Sequence, residues 1–517
     1  MLCRRGGVVL AVLLAVLAGA AAAQDPYGNG QPGTGGFTPV LSCNQAFMGN
    51  GLFTFRIHNG LGGGTGLLGV STRPGRFLLG KTEILIGLVP PDPILIRPIV
   101  LGGTPNQPGA GTAIVPVPLA FPPMPALAGA EFFAQFVAMD FPMPGSPATS
   151  RGLKIELTYP PLVFVGTSVG GNIDPYYLVD PQVNLLVHQG GATFSDNVTG
   201  AAFTYGGRGL FVGSSFTSQV NYADVTTTVP VWRTVYTSAG SGCYGIGYDK
   251  ANQRLYTLTD PGSSQRELVA LDVANPASPS FGTLLANTVN LTGGNPMTER
   301  WALARSGKQA AVLVGFINTI NLVLVDTDPR SASYLKNLVT APVPMSGTGG
   351  LSLATRVVFT PDEDVVLVLI QNAGTNPAEI ARYDVVGAQW LDHDPTQPGI
   401  QNIGVTSVPP VAFGSAPADI EMAPDGTFAV VSGFGGTGWA GRLDLNPRNI
   451  TFFAYQPLSP LPALPGAWAC GLARDGSLMG IGTFPNAQLV LADPQTGVLL
   501  GTVGLPGASN VYTVEHR

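Results

Sequence analysis

Apolar residues along this chain come in short runs separated by Gly, Pro, Asn and Asp, a pattern that predicts brief strands joined by tight turns. After Pro160 the pattern becomes periodic. A mostly apolar strand ending in Asp recurs as Leu178-Val179-Asp180, Tyr222-Ala223-Asp224, Ala270-Leu271-Asp272, Leu324-Val325-Asp326, Arg382-Tyr383-Asp384, Arg442-Leu443-Asp444 and Leu491-Ala492-Asp493. Successive aspartates are 44, 48, 54, 58, 60 and 49 residues apart. A four-stranded propeller blade with its turns needs about 40–50 residues, so the longer intervals imply loop insertions.

A second signal accompanies the last six aspartates. About twenty residues before each lies a turn between two apolar strands: Tyr205-Gly206-Gly207, Tyr248-Asp249-Lys250, Arg305-Ser306-Gly307, Thr360-Pro361-Asp362, Ala423-Pro424-Asp425-Gly426 and Ala473-Arg474-Asp475-Gly476. Gly accepts positive φ and Pro presets the first turn residue, so such sequences reverse an extended chain at little cost. The strands that follow are of one type, as in Val365-Val366-Leu367-Val368 and Phe428-Ala429-Val430-Val431. Each unit therefore reads strand, turn, strand, loop, strand ending in Asp, then a fourth strand. The repeated Asp is expected to cap neighbouring backbone N–H groups in an Asx-turn, not to form a row of ligands.

The first unit is incomplete, because the strand before Pro160-Pro161 can belong to the preceding domain. Residues 510–517 contain a strand-like segment after the seventh Asp unit, and this is predicted to become the inner strand of blade one and close the ring. The fold class is thus all-β: an N-terminal β-sandwich, 37–159, followed by a seven-bladed β-propeller, 160–517. Sandwich strands are expected at Leu52–Ile57, Gly66–Val70, Glu83–Ile86, Ala113–Val117, Glu131–Val137 and Leu153–Leu157. The Gly/Pro/Gln/Asn stretch 24–36 reads as a flexible linker.

Through Ala423-Pro424-Asp425-Gly426 and Ala473-Arg474-Asp475-Gly476 the repeat resembles propellers of the lactonase-like, YVTN and WD types, a resemblance that implies the fold and no activity. Through Leu67-Leu68-Gly69-Val70-Ser71 and Leu127-Ala128-Gly129, leading into Phe132, Gln135 and Asp140, the N-terminal part is similar to a β-sandwich module of large exported proteins of environmental bacteria.

Composition narrows the function classes. Gly (69) and Pro (46) are abundant, as short strands and turns require, and charged residues are only 11%. Residues 1–23 read as a secretory signal: Arg4-Arg5, an apolar run from Gly6 to Ala18, and Ala21-Ala22-Ala23 before cleavage at Gln24. Its removal takes the net charge from −6 to −8, which argues against a nucleic-acid partner. No later run is long enough for membrane insertion after cleavage, so a secreted, periplasmic or cell-envelope location is expected. Cys43, Cys243 and Cys470 then remain, too few for a disulfide framework, and His58, His188, His393 and His516 lie far apart with no metal-binding spacing. Asn197-Val198-Thr199 fits the glycosylation pattern. No metal and no cofactor is expected.

Counting back from each inner turn aligns the strands expected to line the channel. Six positions before it stand Cys243, Arg300, Arg356, Asp419 and, slightly offset, Ala469; two residues on come Gly245, Ala302, Val358, Glu421 and Gly471. Glu299, Arg300, Arg356, Asp419, Glu421 and Trp468 are the candidate ligand-binding residues, a charged and aromatic set for a polar ligand at one mouth; ion pairing within the ring is their structural alternative. No catalytic set or nucleophile motif is found. The favoured reading is an exported, non-catalytic binding or envelope interaction protein, its ligand a protein or carbohydrate. The alternative is a lactonase-like propeller hydrolase acting through carboxylates at the channel mouth, disfavoured because most inner strands carry Gly, Ala, Val or Arg there.

Overall fold

The computed structural model describes residues 25–517 apart from internal segments, the longest of which are 293–300, 404–416, 446–454 and 459–465. The expected signal at 1–23 lies outside the described residues, as does Asn197. The chain forms two compact units whose boundary falls between Pro160 and Pro161, with Ala473–Ser477 grouped with the first.

In the first unit a six-stranded antiparallel sheet runs in the order Asp25–Tyr27, Gly152–Glu156, Glu131–Met143, Thr65–Ser71, Ile94–Val100, with Ser146–Thr149 also paired to Glu131–Met143. A three-stranded sheet of Val40–Cys43, Thr54–Gly60 and Gly111–Pro116 shares one apolar core with it, built from Phe55, Ile57, Leu68, Phe136, Leu153 and Ile155. Residues 25–36, in the stretch 24–36 expected as a flexible linker, make contacts within this unit. Asp25, Pro26 and Tyr27 pair with Lys154, Leu153 and Gly152. Gln31 bonds to Thr149, and Asp140 accepts from Thr34 N at 2.8 Å and Thr34 Oγ1 at 2.6 Å. The physical reason is packing: a Cβ on Gly33 would stand 2.3 Å from Asp140 Oδ2, so glycine here permits close approach and not mobility.

The second unit is a β-propeller. Its described residues form seven antiparallel sheets with four main strands each, and Leu291–Thr292 adds a short fifth strand to one of them. Innermost in these sheets are Asn510–His516, Val198–Phe203, Ser241–Asp249, Trp301–Leu303, Ser352–Phe359, Pro417–Met422 and Ala467–Leu472. Each lies against the next, and Ala467–Leu472 lies against Asn510–His516, which in turn meets Val198–Phe203, so the circle is closed. Asn510–His516 is not continuous in sequence with the rest of its sheet. It pairs antiparallel with Val163–Ser168, setting Val163 opposite His516 and Val165 opposite Val514.

Burial explains why the second strands read as unbroken apolar runs. Every residue of Phe428–Gly433 is buried, because an inner strand of a blade is covered by a neighbouring blade on each face. Leu322 and Leu324 of one blade share a core with Val366, Val368 and Tyr383 of the next, and each such buried aliphatic side chain contributes about 1.5–3 kcal/mol.

The repeated aspartates cap. Oδ1 of Asp180, Asp224, Asp272, Asp326 and Asp493 accepts the backbone N–H two residues on, at 2.8, 3.0, 3.1, 2.9 and 2.7 Å. In Asp384 it accepts Gly387 N at 2.8 Å. The matched turns share a geometry too: Gly207, Gly307, Gly426 and Gly476 sit at φ of 72, 72, 72 and 64° and donate to the carbonyl three residues earlier. In one turn Glu363 takes this place at φ 64°. Its carboxylate holds Ser306 of the preceding blade, accepting from the backbone N–H and, at 2.6 Å, from Oγ. Arg517 performs a similar stitch, its Nη1 donating to Gly207 O at 3.2 Å.

Removing residues 510–517 strips the inner strand from one sheet and exposes the edge of Val163–Ser168. The expected outcome is loss of the cooperative unfolding transition of the propeller in a thermal melt followed by circular dichroism; an unchanged melt would overturn the role of this strand as the clasp.

Candidate binding site in the propeller channel

Strands meet closely at the axis because the facing residues are small. A Cβ on Gly200 would lie 2.7 Å from Gly245 Cα, so these two backbones are in contact, and Gly245 itself adopts φ 68°. Within the ring lies a cavity of about 190 Å³. Its charged lining consists of Arg356, Asp419, Glu421 and Glu515, its hydroxyls are those of Thr199 and Thr513, and Trp301 and Cys470 also face it.

Asp419 is the most constrained of these groups. Its Oδ1 pairs with Arg356 Nε at 2.8 Å and accepts Ile420 N at 2.9 Å, while Oδ2 accepts Cys470 N at 2.9 Å. The carboxylate therefore ties three consecutive blades together at the channel wall. Burial pushes its pKa above the usual carboxylate range, and the Arg356 guanidinium and the two amides oppose that shift. Glu421, two residues along the same strand, has less compensation. Burial first, then the neighbouring Asp419 and Glu515 carboxylates, push it up to about 8, with Arg356 pulling the other way. The Cys470 thiol is also raised, by burial and by Asp419 and Glu421, which makes it a poor nucleophile.

Arg356, Asp419 and Glu421 are thus brought together as the register count predicts, and Gly245, Ala302 and Val358 line the same cavity. Trp468 is not part of that lining; it falls at a register shift between Ala467 and Ala469, and its ring centroid lies 6.1 Å from that of Phe484. Glu299 and Arg300 lie outside the described residues. Cys243 faces away into a core with Phe211 and Leu271. Trp301 reaches the cavity, but its indole N–H is held by Tyr244 O at 2.7 Å, which fixes the ring between blades. Sequence reasoning missed Thr199, Thr513 and Glu515. The last two sit on the clasp strand, and the pairing of Phe164 with Glu515 sets the register that aims them inward. No group of three His, Cys, Asp or Glu among the described residues is placed to hold a metal ion. Cys43, Cys243 and Cys470 are all buried and unpaired with one another.

No protein-family model matches this chain, and no curated protein is similar to it. Solved structures are similar over about two thirds of the chain. A candidate 6-phosphogluconolactonase from Bacteroides uniformis is 12% identical, covering 69% of this chain and 100% of its own, with a TM-score of 0.49. A second one, from Bacteroides fragilis, is 13% identical, covering 69% and 98%, with a TM-score of 0.46. The hydrazine synthase of Kuenenia stuttgartiensis is also 13% identical, covering 66% and 94%, with a TM-score of 0.44. At these values the likeness says nothing of activity.

Glu421 gives the site a pH signature. Its native pKa, about 8, lies above the ordinary 4.5, so the folded protein holds a proton that the unfolded chain has lost between those values. Stability associated with this group is full below about 4.5 and is lost as pH rises through about 8. In denaturant unfolding at pH 5, 7 and 9, Glu421→Gln should lose less stability than wild type across this range. Parallel pH profiles for the two proteins would show that Glu421 does not titrate abnormally.

Proposed function

We propose that this chain is an exported, non-catalytic binding protein whose propeller serves as the platform and whose first unit serves as an adaptor. We further propose that the seven sheets are the full set of blades and that the first unit is a sandwich module. The observation that carries the binding reading is the channel cavity, where three carboxyl groups and one guanidinium converge from three strands. Arg356 and Asp419 pair at 2.8 Å, and the described lining carries two further carboxyl groups, those of Glu421 and Glu515. A projecting ammonium or donor-rich group, on a protein side chain or an amino sugar, would relieve the repulsion between these two carboxyls. Such a ligand fits a net-acidic chain, and it needs no nucleophile or metal.

One observation favours a second reading, a propeller hydrolase of the lactonase type. A carboxyl group with a pKa of about 8 is poised for general acid–base work near neutral pH. The two readings separate on one variant. Under the binding reading, calorimetric titration with glucosamine oligomers and Lys-containing peptides finds a ligand whose affinity falls roughly tenfold or more in Glu515→Gln, the size expected for losing a charge-assisted contact. Lactone or ester turnover that disappears in Glu421→Gln would establish the hydrolase instead. Affinity that is unchanged in both Glu421→Gln and Glu515→Gln would remove the channel as the binding site.

A further inference from the structure

We infer that the hairpin of Pro74–Leu79 and Thr82–Ile86 in the first unit docks on an anionic lipid surface, with its tip entering the interfacial region. This surface is separate from the propeller channel and does not depend on the reading given to it.

The two strands of the hairpin differ sharply in burial. Ile84, Leu85 and Ile86 are only 3–4% exposed, and Ile84 and Ile86 pack on Phe133 of the larger sheet. On the other strand Phe77, Leu78 and Leu79, opposite Ile84, Glu83 and Thr82, are 40, 70 and 49% exposed. Alternation along a strand sends Leu78 to one face and its two neighbours to the other. A protein partner lying flat on one face would leave the second bare, whereas immersion in an interface covers both. A solvent-facing apolar edge strand is a liability that proteins blunt unless it is used.

The turn of the hairpin is not isolated. Lys81 N donates to Ser146 Oγ at 3.1 Å and Thr82 Oγ1 to Pro147 O at 2.7 Å, which pins it beside the start of Ser146–Thr149. The strand leading towards that point contributes two more exposed apolar residues, Met139 at 48% and Phe141 at 51%. Asp140, between them, is turned inward to Thr34 and so adds no exposed charge. Two neighbouring parts of the module thus display five exposed apolar side chains.

Charge selects the occupant. Residues 73–81 hold Arg73, Arg76 and Lys81 and no acid, in a chain whose net charge is −6. Arg76 is paired with Glu83, and Lys81 is exposed at the turn. Basic groups flanking an apolar tip match a surface of anionic headgroups over acyl chains. Acidic groups farther away than the screening length of about 8–10 Å oppose this approach only weakly at physiological salt. The mode is peripheral: the chain lies on the surface and does not span it.

The test uses the full-length folded protein and sedimentation with vesicles of phosphatidylglycerol and phosphatidylcholine, against vesicles of phosphatidylcholine alone. Binding is expected to the anionic vesicles, to weaken with added salt, and to fall at least about tenfold in Leu78→Asp. Lys81→Glu should weaken binding to the anionic vesicles several-fold while leaving the weak phosphatidylcholine binding unchanged. Leu78 is 70% exposed, so its substitution should leave the thermal melt in place, and that melt serves as the folding control. Absence of wild-type binding to anionic vesicles, or undiminished binding by folded Leu78→Asp, would overturn the proposal. So would a protein that binds no vesicle but forms a dimer in gel filtration that Leu78→Asp dissolves, since the edge would then belong to a second copy.

Discussion

The propeller depends on one antiparallel pairing, that of Val163–Ser168 with Asn510–His516. Without it one sheet lacks its inner strand, Ala469 and Leu489 lose the wall that Val511 and Val514 provide, and the channel opens on one side. Every other sheet is made from consecutive strands, so its hydrogen bonds are local in sequence. Among the described strand pairings of the propeller, this one joins the first strand of the domain to its last. It also sets the channel chemistry, because the register that places Glu515 opposite Phe164 delivers a carboxylate to the same cavity as Glu421. Architecture and electrostatics are therefore fixed by the same hydrogen bonds.

The blade repeat was legible because two physical requirements recur with it. A strand end needs an acceptor for loose N–H groups, and Asp180, Asp224, Asp272, Asp326, Asp384 and Asp493 supply one. A tight turn needs a residue at positive φ, hence Gly207, Gly307, Gly426 and Gly476. Arg356, Asp419 and Glu421 could be placed at the channel because the count from such a turn is a register count. Trp468 shows where that count runs out: a register shift between Ala467 and Ala469 falls on it, and an irregularity of the strand is not visible in a count of residues. The segment 24–36 failed for a different reason. Glycine required for close packing against Asp140 has the same letter as glycine in a free linker, and only the partner distinguishes them.

Glu363 shows how the ring trades local comfort for connection. A non-glycine residue at φ 64° is strained, and a glycine there would relieve it. Glycine could not reach Ser306, so the side chain that makes the backbone less favourable is also the one that links two blades. Asp419 follows the same logic on the channel wall, where its burial is offset by the groups of the adjoining blades that it binds.

The three thiols have a consequence for how the molecule ages. Cys43, Cys243 and Cys470 are buried in different parts of the fold, so an oxidant meets them slowly while the fold is intact. Unfolding would expose all three in one chain, where any oxidant lets them form mispaired bridges or join a second molecule. Each such event removes a chain from the pool able to refold, so denaturation becomes a one-way loss. The working lifetime of the protein is then governed by how rarely its ring opens rather than by how readily it closes again.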